Sequence, residues 1–497
     1  MSMPFVNREF TFAQPDGTQI KVRGTGNQHQ ATFTTLDGYT VVQDPVSRFY
    51  HYAEPTAGHP QSSGIRAGRA DAAALGLPRA VKPKNANGGP IAFVSPGLPR
   101  SRSRWQTRRE QHRMQLLAAM ANGSPALAPP QRQTVGNFVG LCLLIQFPDV
   151  AGPLPQSDVE AFCNAKGYSG FGNNGSVFDY FFDISDGKLS YKNIVAPWYT
   201  AKKPRQYYTD ESVEQPIRAR ELILEALTYH QSKGFNFSQL TVDDQQYIYA
   251  INVFYAGKVT NNWAKGLWPH SFHLQAPVQL AAGRLANDYQ ITDMPSELSL
   301  GTFCHENGHM ICDFPDLYDY GNESNGVGAY CLMCAGGNAD PKNPHRVGAY
   351  LRHAAGWSSK ISNMAPAVSI SLAATKNEFA LLRRNKTQYF IVENRERSGR
   401  DATLPDAGLA IWKIDEVGSN SNEQMTPELH YECSLIQSDG NNDLEMGVNI
   451  GDLGDLFKQG EAFSAASHPS SAWWDGHASG LNIHDISPPG PIVSFST

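Results

Sequence analysis

The sequence predicts a multidomain α+β protein in three blocks, 1–130, 135–360 and 365–497, and three observations carry that prediction. Residues 1 to about 57 alternate apolar and polar side chains around Asp16-Gly17 and Asp37-Gly38, as short antiparallel strands joined by tight turns do. Between 135 and 360, continuous apolar runs alternate with stretches of helical periodicity, the pattern of buried strands covered by helices. From about 365 onward, short β-type segments recur between Gly, Asn, Asp and Pro, which is the pattern of a β-sandwich.

In the first block the β unit gives way at 56–100 to a stretch rich in Ala, Gly and Pro, with KPKNANGGP and SPGLPR as breakers, which reads as a linker. SRSRWQTRREQHRMQLLAAMA follows and predicts a helix dense in arginine (Arg100, Arg102, Arg104, Arg108, Arg109, Arg113), ending in the Pro-rich NGSPALAPPQRQ. A basic run of this kind is expected to be a solvated face. No groove-reading motif accompanies it, so a nucleic-acid partner is not expected.

In the second block Phe138–Phe147 and Tyr247–Tyr255 read as buried strands, and Ser176–Phe182 and Pro216–His230 as helices. Trp263, Trp268, His270 and His273 form an aromatic cluster expected mostly in the core, next to an edge strand able to pair with an extended chain. In the third block Val368–Leu372, Phe379–Leu382, Tyr389–Val392, Leu409–Ile414 and Ile492–Phe495 read as strands. This block is expected to buttress the second.

A chain of 497 residues, 41% hydrophobic, has ample material for several cores. Its net charge of −6 gives no general attraction to nucleic acid or anionic membrane. No apolar run approaches the ~20 residues of a membrane span. The segment MSMPFVNREFTFAQPDG lacks the charged start and apolar core of a secretory signal. Seven cysteines are too few for a disulfide scaffold and odd in number. Cys304 and Cys312 bracket one predicted helix and Cys331 and Cys334 the turn beyond it, so a disulfide pinning turn to helix is expected.

The chemistry concentrates at 305–309, His-Glu-Asn-Gly-His. On a helix the first and fifth residues share a face about 6 Å apart along the axis, so His305 and His309 reach one metal ion together. Glu306 points about 100° round the axis, toward a water held by that ion. Pro295-Ser296-Glu297 predicts the helix start with Ser296 as N-cap, and Pro315 forces the chain to turn afterwards. Gly308 costs about 1 kcal/mol relative to Ala in a helix, which suggests close backbone packing there. A catalytic site keeps a coordination position open for water, so two histidines flanking a general base fit catalysis better than a closed cysteine site.

With HENGHMICDFPDLYD in view, the chain resembles the immune inhibitor A-like family of secreted bacterial metalloproteases, which are metzincin-like zinc peptidases. QPDGTQIKVRG, TTLDGYTVVQD, GLCLLIQFPD, YFIVENRE, GLAIWKIDE and GDLGDLF extend the resemblance over nearly the whole chain. It implies a β-rich prodomain, a zincin-type α/β catalytic domain with its active-site helix, and a C-terminal β-sandwich. It implies a zinc endopeptidase acting on protein or peptide substrates as a monomer, made as a zymogen and exported; the N-terminus itself speaks for no such export, leaving a cytoplasmic location as the alternative. A non-catalytic binding or adhesion protein on the same scaffold is the alternative function.

The resemblance makes Glu306 the catalytic residue, His305 and His309 metal ligands, and Met333 in Cys331-Leu332-Met333-Cys334 the apolar floor beneath the metal. The family's third ligand normally stands ten residues after the first histidine, where this chain has Pro315. Cys312-Asp313 occupies the place of a single glycine, and Asp tolerates left-handed backbone better than most residues. Asp316 is therefore the favoured ligand, with Asp313 second and Asp319 third. A glutamate ligand about twenty residues after His309 is disfavoured because position 329 is Ala. The acidic loops DGNNDLE and GDLGDLF, and Asp319 with Asn322, suggest structural calcium. Because no cysteine precedes Cys142, a propeptide thiolate on the zinc is excluded.

Overall fold

The computed structural model describes residues 3–56, 59–81, 103–122, 133–421 and 429–497. Residues 57–58 and 82–100 of the predicted linker and the Pro-rich stretch after Asn122 lie outside the described residues, whereas Gln61–Arg66 of that linker form a strand that joins the first sheet. Mixed α and β structure is distributed over several sheets.

Strands β1 (Phe5–Ala13), β2 (Gln19–Gly26), β3 (Ala31–Thr35), β4 (Thr40–Gln43), β5 (Tyr50–Glu54) and β6 (Gln61–Arg66) form one antiparallel meander in sequence order. Its turns fall at the predicted positions, where Gly17 (φ 83°) and Gly38 (φ 92°) adopt the left-handed backbone that glycine accepts without strain. Phe5, Phe12, Val22, Phe33 and Tyr50 give the sheet its own core. Helix α1 (Arg104–Ala121) follows, capped by a Ser103–Gln106 box, and buries only Trp105 and Leu116 along its length.

Next come β7 (Gly136–Gln146), α2 (Gln156–Asn164), α3 (Val177–Ile184), β8 (Leu189–Val195), β9 (Tyr199–Thr200), α4 (Arg205–Tyr208) and α5 (Ile217–Ser232). After them stand β10 (Ile251–Ala256), β11 (His270–Ala281), β12 (Arg284–Met294) and α6 (Leu300–Cys312). The sheet order is β11-β12-β10-β7-β8, parallel except for β11, which pairs antiparallel with β12 and forms the edge. β7 explains why its sequence is a continuous apolar run. Leu141, Leu143 and Ile145 pack on the α5 side, while Cys142 and Leu144 face the layer of α2, α3 and α6, so both faces of the strand are covered.

The helix carrying the histidines starts later than predicted, at Leu300 with Ser299 as the cap position rather than Ser296. The carbonyl of Leu298 explains the shift. It accepts from Lys342 Nζ (2.7 Å) and Asn173 Nδ2 (3.0 Å) and so is not free to begin a helical ladder.

Beyond the short helices α7 (Gly337–Ala339) and α8 (Ala349–Ala354), strands β13 (Lys360–Asn363), β14 (Ser369–Ala373), β15 (Glu378–Arg383), β16 (Gln388–Arg395), β17 (Gly408–Asp415), β18 (Cys433–Ile436) and β19 (Ile492–Ser496) make two sheets. The five-stranded sheet runs β13-β15-β16-β17-β18, and β14 pairs with β19. Phe390, Val392, Leu409 and Ile411 pack against Val493 and Phe495, whereas Ile391, Trp412 and Ile414 on the opposite face join the apolar cluster that contains α6. The C-terminal sheet thus shares its core with the layer that carries the histidines. Among the described residues no helix is long and apolar enough to cross a membrane.

All seven cysteines are free and buried, so the expected disulfide is absent. Cys334 Sγ donates instead to the carbonyl of Asn325 (3.2 Å), and Cys331 Sγ accepts from Gly348 N. Burial pushes the Cys331 thiol up to about 11.

Candidate metal centre

Helix α6 presents His305 and His309 on one face, ring centroids 4.8 Å apart and mutually perpendicular. The chain then turns as its sequence requires. Asp313 caps the helix in the left-handed region (φ 58°, ψ 27°), its N–H bonded to the His309 carbonyl (3.0 Å), and Pro315 leads the backbone back across the helix end. This turn brings Asp316 Oδ1 to 3.2 Å from His305 Nε2 and 3.1 Å from His309 Nε2. His305, His309 and Asp316 form a buried group able to hold a metal ion, the one such group among the described residues.

Both imidazoles are fixed from behind. His305 Nδ1 donates to the carbonyl of Leu332 (2.9 Å) and His309 Nδ1 to that of Phe314 (2.6 Å). A neutral imidazole whose Nδ1 carries the proton turns the Nε2 lone pair outward, here toward the Asp316 carboxylate. Burial would raise the Asp316 carboxyl; His309 and His305 lower it well below the usual carboxylate range only while their Nε2 atoms carry protons, and a bound cation would supply that positive charge when the imidazoles are neutral. Among the described residues, neither His305 Nε2 nor Asp316 Oδ1 has a hydrogen-bond partner. Three electron-rich atoms converging in a dry pocket repel one another unless a cation sits among them.

Glu306 is 1% exposed, and among the described residues its carboxylate oxygens have no closely aligned partner, the Ser271 hydroxyl being the side chain that acts on the carboxyl by hydrogen bonding. Burial first, then the nearby Asp316, pushes its carboxyl up to about 7, against the opposing pull of His305. The base of the site is apolar. A Cβ on Gly308 would meet Met333 Sδ at 2.8 Å, so Met333 packs directly beneath the helix and only glycine permits that approach. Leu317 N donates to the Met333 carbonyl (2.8 Å), tying the floor to the segment that carries Asp316.

The two other aspartates considered as ligands are engaged elsewhere. Asp313 directs its carboxylate to Arg108, with contacts of 2.6–3.0 Å. The Asp319 side chain accepts from the backbone N–H groups of Gly321, Glu323 and Ser324. In the acidic C-terminal loops Asp455 Oδ2 accepts from Tyr330 and from Asp452 N, and Asp439 from Asn441, so these carboxylates brace their own turns.

Several residues of the site were not singled out from sequence. Tyr320, four residues after Asp316, donates its hydroxyl to Asp316 Oδ2 (2.9 Å). Asn307 lies inside the motif at a position that bears no ligand. Its amide donates to Asn252 Oδ1 (2.8 Å) and accepts from the Tyr191 hydroxyl, pinning α6 to the centre of the sheet through a buried polar network that includes Asn193 and Gln290.

The arginine helix is a correction. Arg104, Arg108 and Arg109 are not a solvated face; their side chains are 13–15% exposed and engage acids from three parts of the chain. Arg104 and Arg108 meet Asp243, Arg108 meets Asp313, and Arg109 clasps both oxygens of Glu432 at 2.7 Å. Asp288 on β12 accepts from the N–H groups of Arg104 and Trp105 at the helix N-terminus, where a carboxylate is favoured. Trp105 then stacks flat on His309, centroids 4.4 Å apart. Helix α1 therefore roofs a cleft of about 850 Å³ whose walls include Glu306, His309 and Asp316 on one side and His270 and Phe272 of the edge strand on another.

A scan against protein-family models finds no match to this chain, and a comparison with curated proteins finds none either.

Proposed function

We propose that this chain is a zinc-dependent endopeptidase, made as a zymogen, of the kind its sequence resembles. The observation that carries the reading is the convergence of His305 Nε2, His309 Nε2 and Asp316 Oδ1 beside the buried carboxyl of Glu306. The zinc ion that these three residues fit would lower the pKa of a water to about 7 and polarise a scissile carbonyl.

The remaining work falls to the chain's own groups. Glu306, with its carboxyl near neutrality, accepts a proton from water and later delivers it to the leaving amine. The Tyr320 hydroxyl and the two backbone carbonyls behind the imidazoles hold the ligands in orientation. Strand β11 is the edge of the sheet, where an extended peptide can add as a further strand beyond the carbonyls of His273, Gln279 and Leu280 that Arg220 and Gln231 already occupy. Trp105 on His309 supports the zymogen reading, since a substrate backbone needs the space its indole fills. A scaffold kept only for binding has no use for a carboxyl buried beside three convergent ligand atoms, which favours the enzyme over a non-catalytic relative.

The test joins two measurements. The purified protein should hold about one zinc per chain by native mass spectrometry, and with Trp105 replaced by alanine it should cleave a denatured protein. Adding Glu306→Gln should leave the zinc in place and abolish cleavage; undiminished cleavage would refute the assignment.

A further inference from the structure

Glu432 stands in the cleft wall, 7% exposed, one helical turn of α1 along from the metal centre, because its partner Arg109 is four residues after Trp105. The body of the protein holds it in position independently of α1: the Tyr350 hydroxyl donates to Glu432 Oε1 from beneath. The neighbouring Glu416 is held in the same way by Tyr389 (3.0 Å). Neither tyrosine neutralises a charge. Among the described residues the countercharges come from α1, with Arg109 Nη2 placed 2.7 Å from both oxygens of Glu432 and His112 Nε2 3.6 Å from Glu416. Helix α1 buries just two side chains and is otherwise held by ion pairs, so its seat is electrostatic rather than apolar.

We propose that Glu432 is the specificity-determining residue of the peptidase site, selecting substrates with an arginine or lysine side chain near the scissile bond, and that Arg109 occupies this subsite in the zymogen as an internal mimic of that side chain. The inference rests on the peptidase reading above. Three features of the structure converge on it: a guanidinium already seated with its Nη2 on both carboxylate oxygens, a carboxylate fixed from behind by a fully buried tyrosine, and a shared cleft with Glu306 and Asp316. Once Arg109 leaves, a desolvated carboxylate retains one neutral donor, and a cationic side chain from the substrate restores the lost pair.

The experiment uses the full chain carrying Trp105→Ala and Arg109→Ala, which clears both side chains from the cleft, with and without Glu432→Gln. Glutamine keeps an acceptor for Tyr350 and removes the charge. In a mixed peptide library read by mass spectrometry, the parent should enrich Arg and Lys at one fixed position beside the cut. Glu432→Gln should lower kcat/KM for the Arg peptides by roughly 30-fold or more while peptides lacking basic residues keep theirs. Propylguanidinium binding, followed by calorimetry, should weaken by a similar factor in Glu432→Gln, and uncharged propylurea should not bind. Cleavage without a basic preference, or a preference that survives Glu432→Gln, overturns the inference and leaves the peptidase reading standing. Propylguanidinium binding with no cleavage of any peptide overturns the peptidase reading, and the substrate assignment falls with it.

Discussion

On the floor of the cleft, His305 Nε2, Asp316 Oδ1 and both oxygens of Glu306 lie buried with no closely aligned hydrogen-bond partner among the described residues, whereas on its roof Arg104, Arg108 and Arg109 each meet a carboxylate. Both surfaces bury charge, at opposite states of completion. A buried polar group left unpaired costs about 1–3 kcal/mol, and more if charged, so the floor is a liability that folding alone does not discharge. The guanidinium charges of the roof are paired within the chain, although Arg104 Nε and His112 Nε2 have no hydrogen-bond partner among the described residues. The convergence of unpaired acceptor atoms on one point, rather than any single unpaired atom, marks where something from outside the chain belongs.

The sharpest way to break this contrast is to remove the floor's one acid that is no ligand. In the chain opened by Trp105→Ala, Glu306→Gln should lower turnover about 10³-fold, within the range general base catalysis supplies, with zinc content unchanged. A fall of less than about tenfold would move the proton transfer to another group. Zinc itself sharpens the contrast next. At about 1,000 times its dissociation constant the ion should stabilise the native protein by about 4 kcal/mol, read as a rise in melting temperature. His309→Ala should remove most of that rise, and Asp313→Asn none of it, because Asp313 faces Arg108.

The roof responds differently. Arg108→Ala leaves Asp313 without its guanidinium and Asp243 with Arg104 alone, at a cost of about 3–5 kcal/mol for breaking a buried pair. Calorimetric unfolding would measure that cost. Because the lost contacts hold α1 over the cleft, the same substitution should raise the basal activity of the full chain. A destabilised protein with no gain in activity would separate α1 from latency.

Much of the floor was legible in the sequence because its chemistry is local. The spacing of His305, Glu306 and His309 depends only on helical geometry, and Pro315 with the left-handed Asp313 accounts for the ligand arriving one residue late. The edges of β7 and β10 followed from their apolar runs, although β10 starts at Ile251 rather than Tyr247. The roof was not legible. Arg108 reaches Asp313 across 205 positions and Arg109 reaches Glu432 across 323, and nothing in a run of arginines says whether water or carboxylates will face it. The disulfide expectation failed for a related reason, since proximity in sequence to one helix does not bring sulfur atoms together. Asn307 escaped notice because its role is set by Asn252 and Tyr191, residues of distant strands.

The smallest expected effect tests whether the edge-strand wall belongs with the floor or with the roof. His270 on β11 is buried, its Nδ1 2.6 Å from the carbonyl of Trp268, and burial pushes its pKa down to about 4 from an ordinary 6.5. A base with a depressed folded-state pKa is neutral in the native protein, so its contribution to stability is complete above about 6.5 and is lost as the pH falls toward 4, when the unfolded chain takes up the proton first. A shift of that size corresponds to about 3 kcal/mol. Stability from urea unfolding at pH 7, 5.5 and 4 should therefore decline more steeply in the wild type than in His270→Gln, whose amide does not titrate and can still donate to Trp268. Parallel declines would show that His270 is protonated in the native state, satisfied by a partner as the roof arginines are, and the wall would then join the completed half of the cleft.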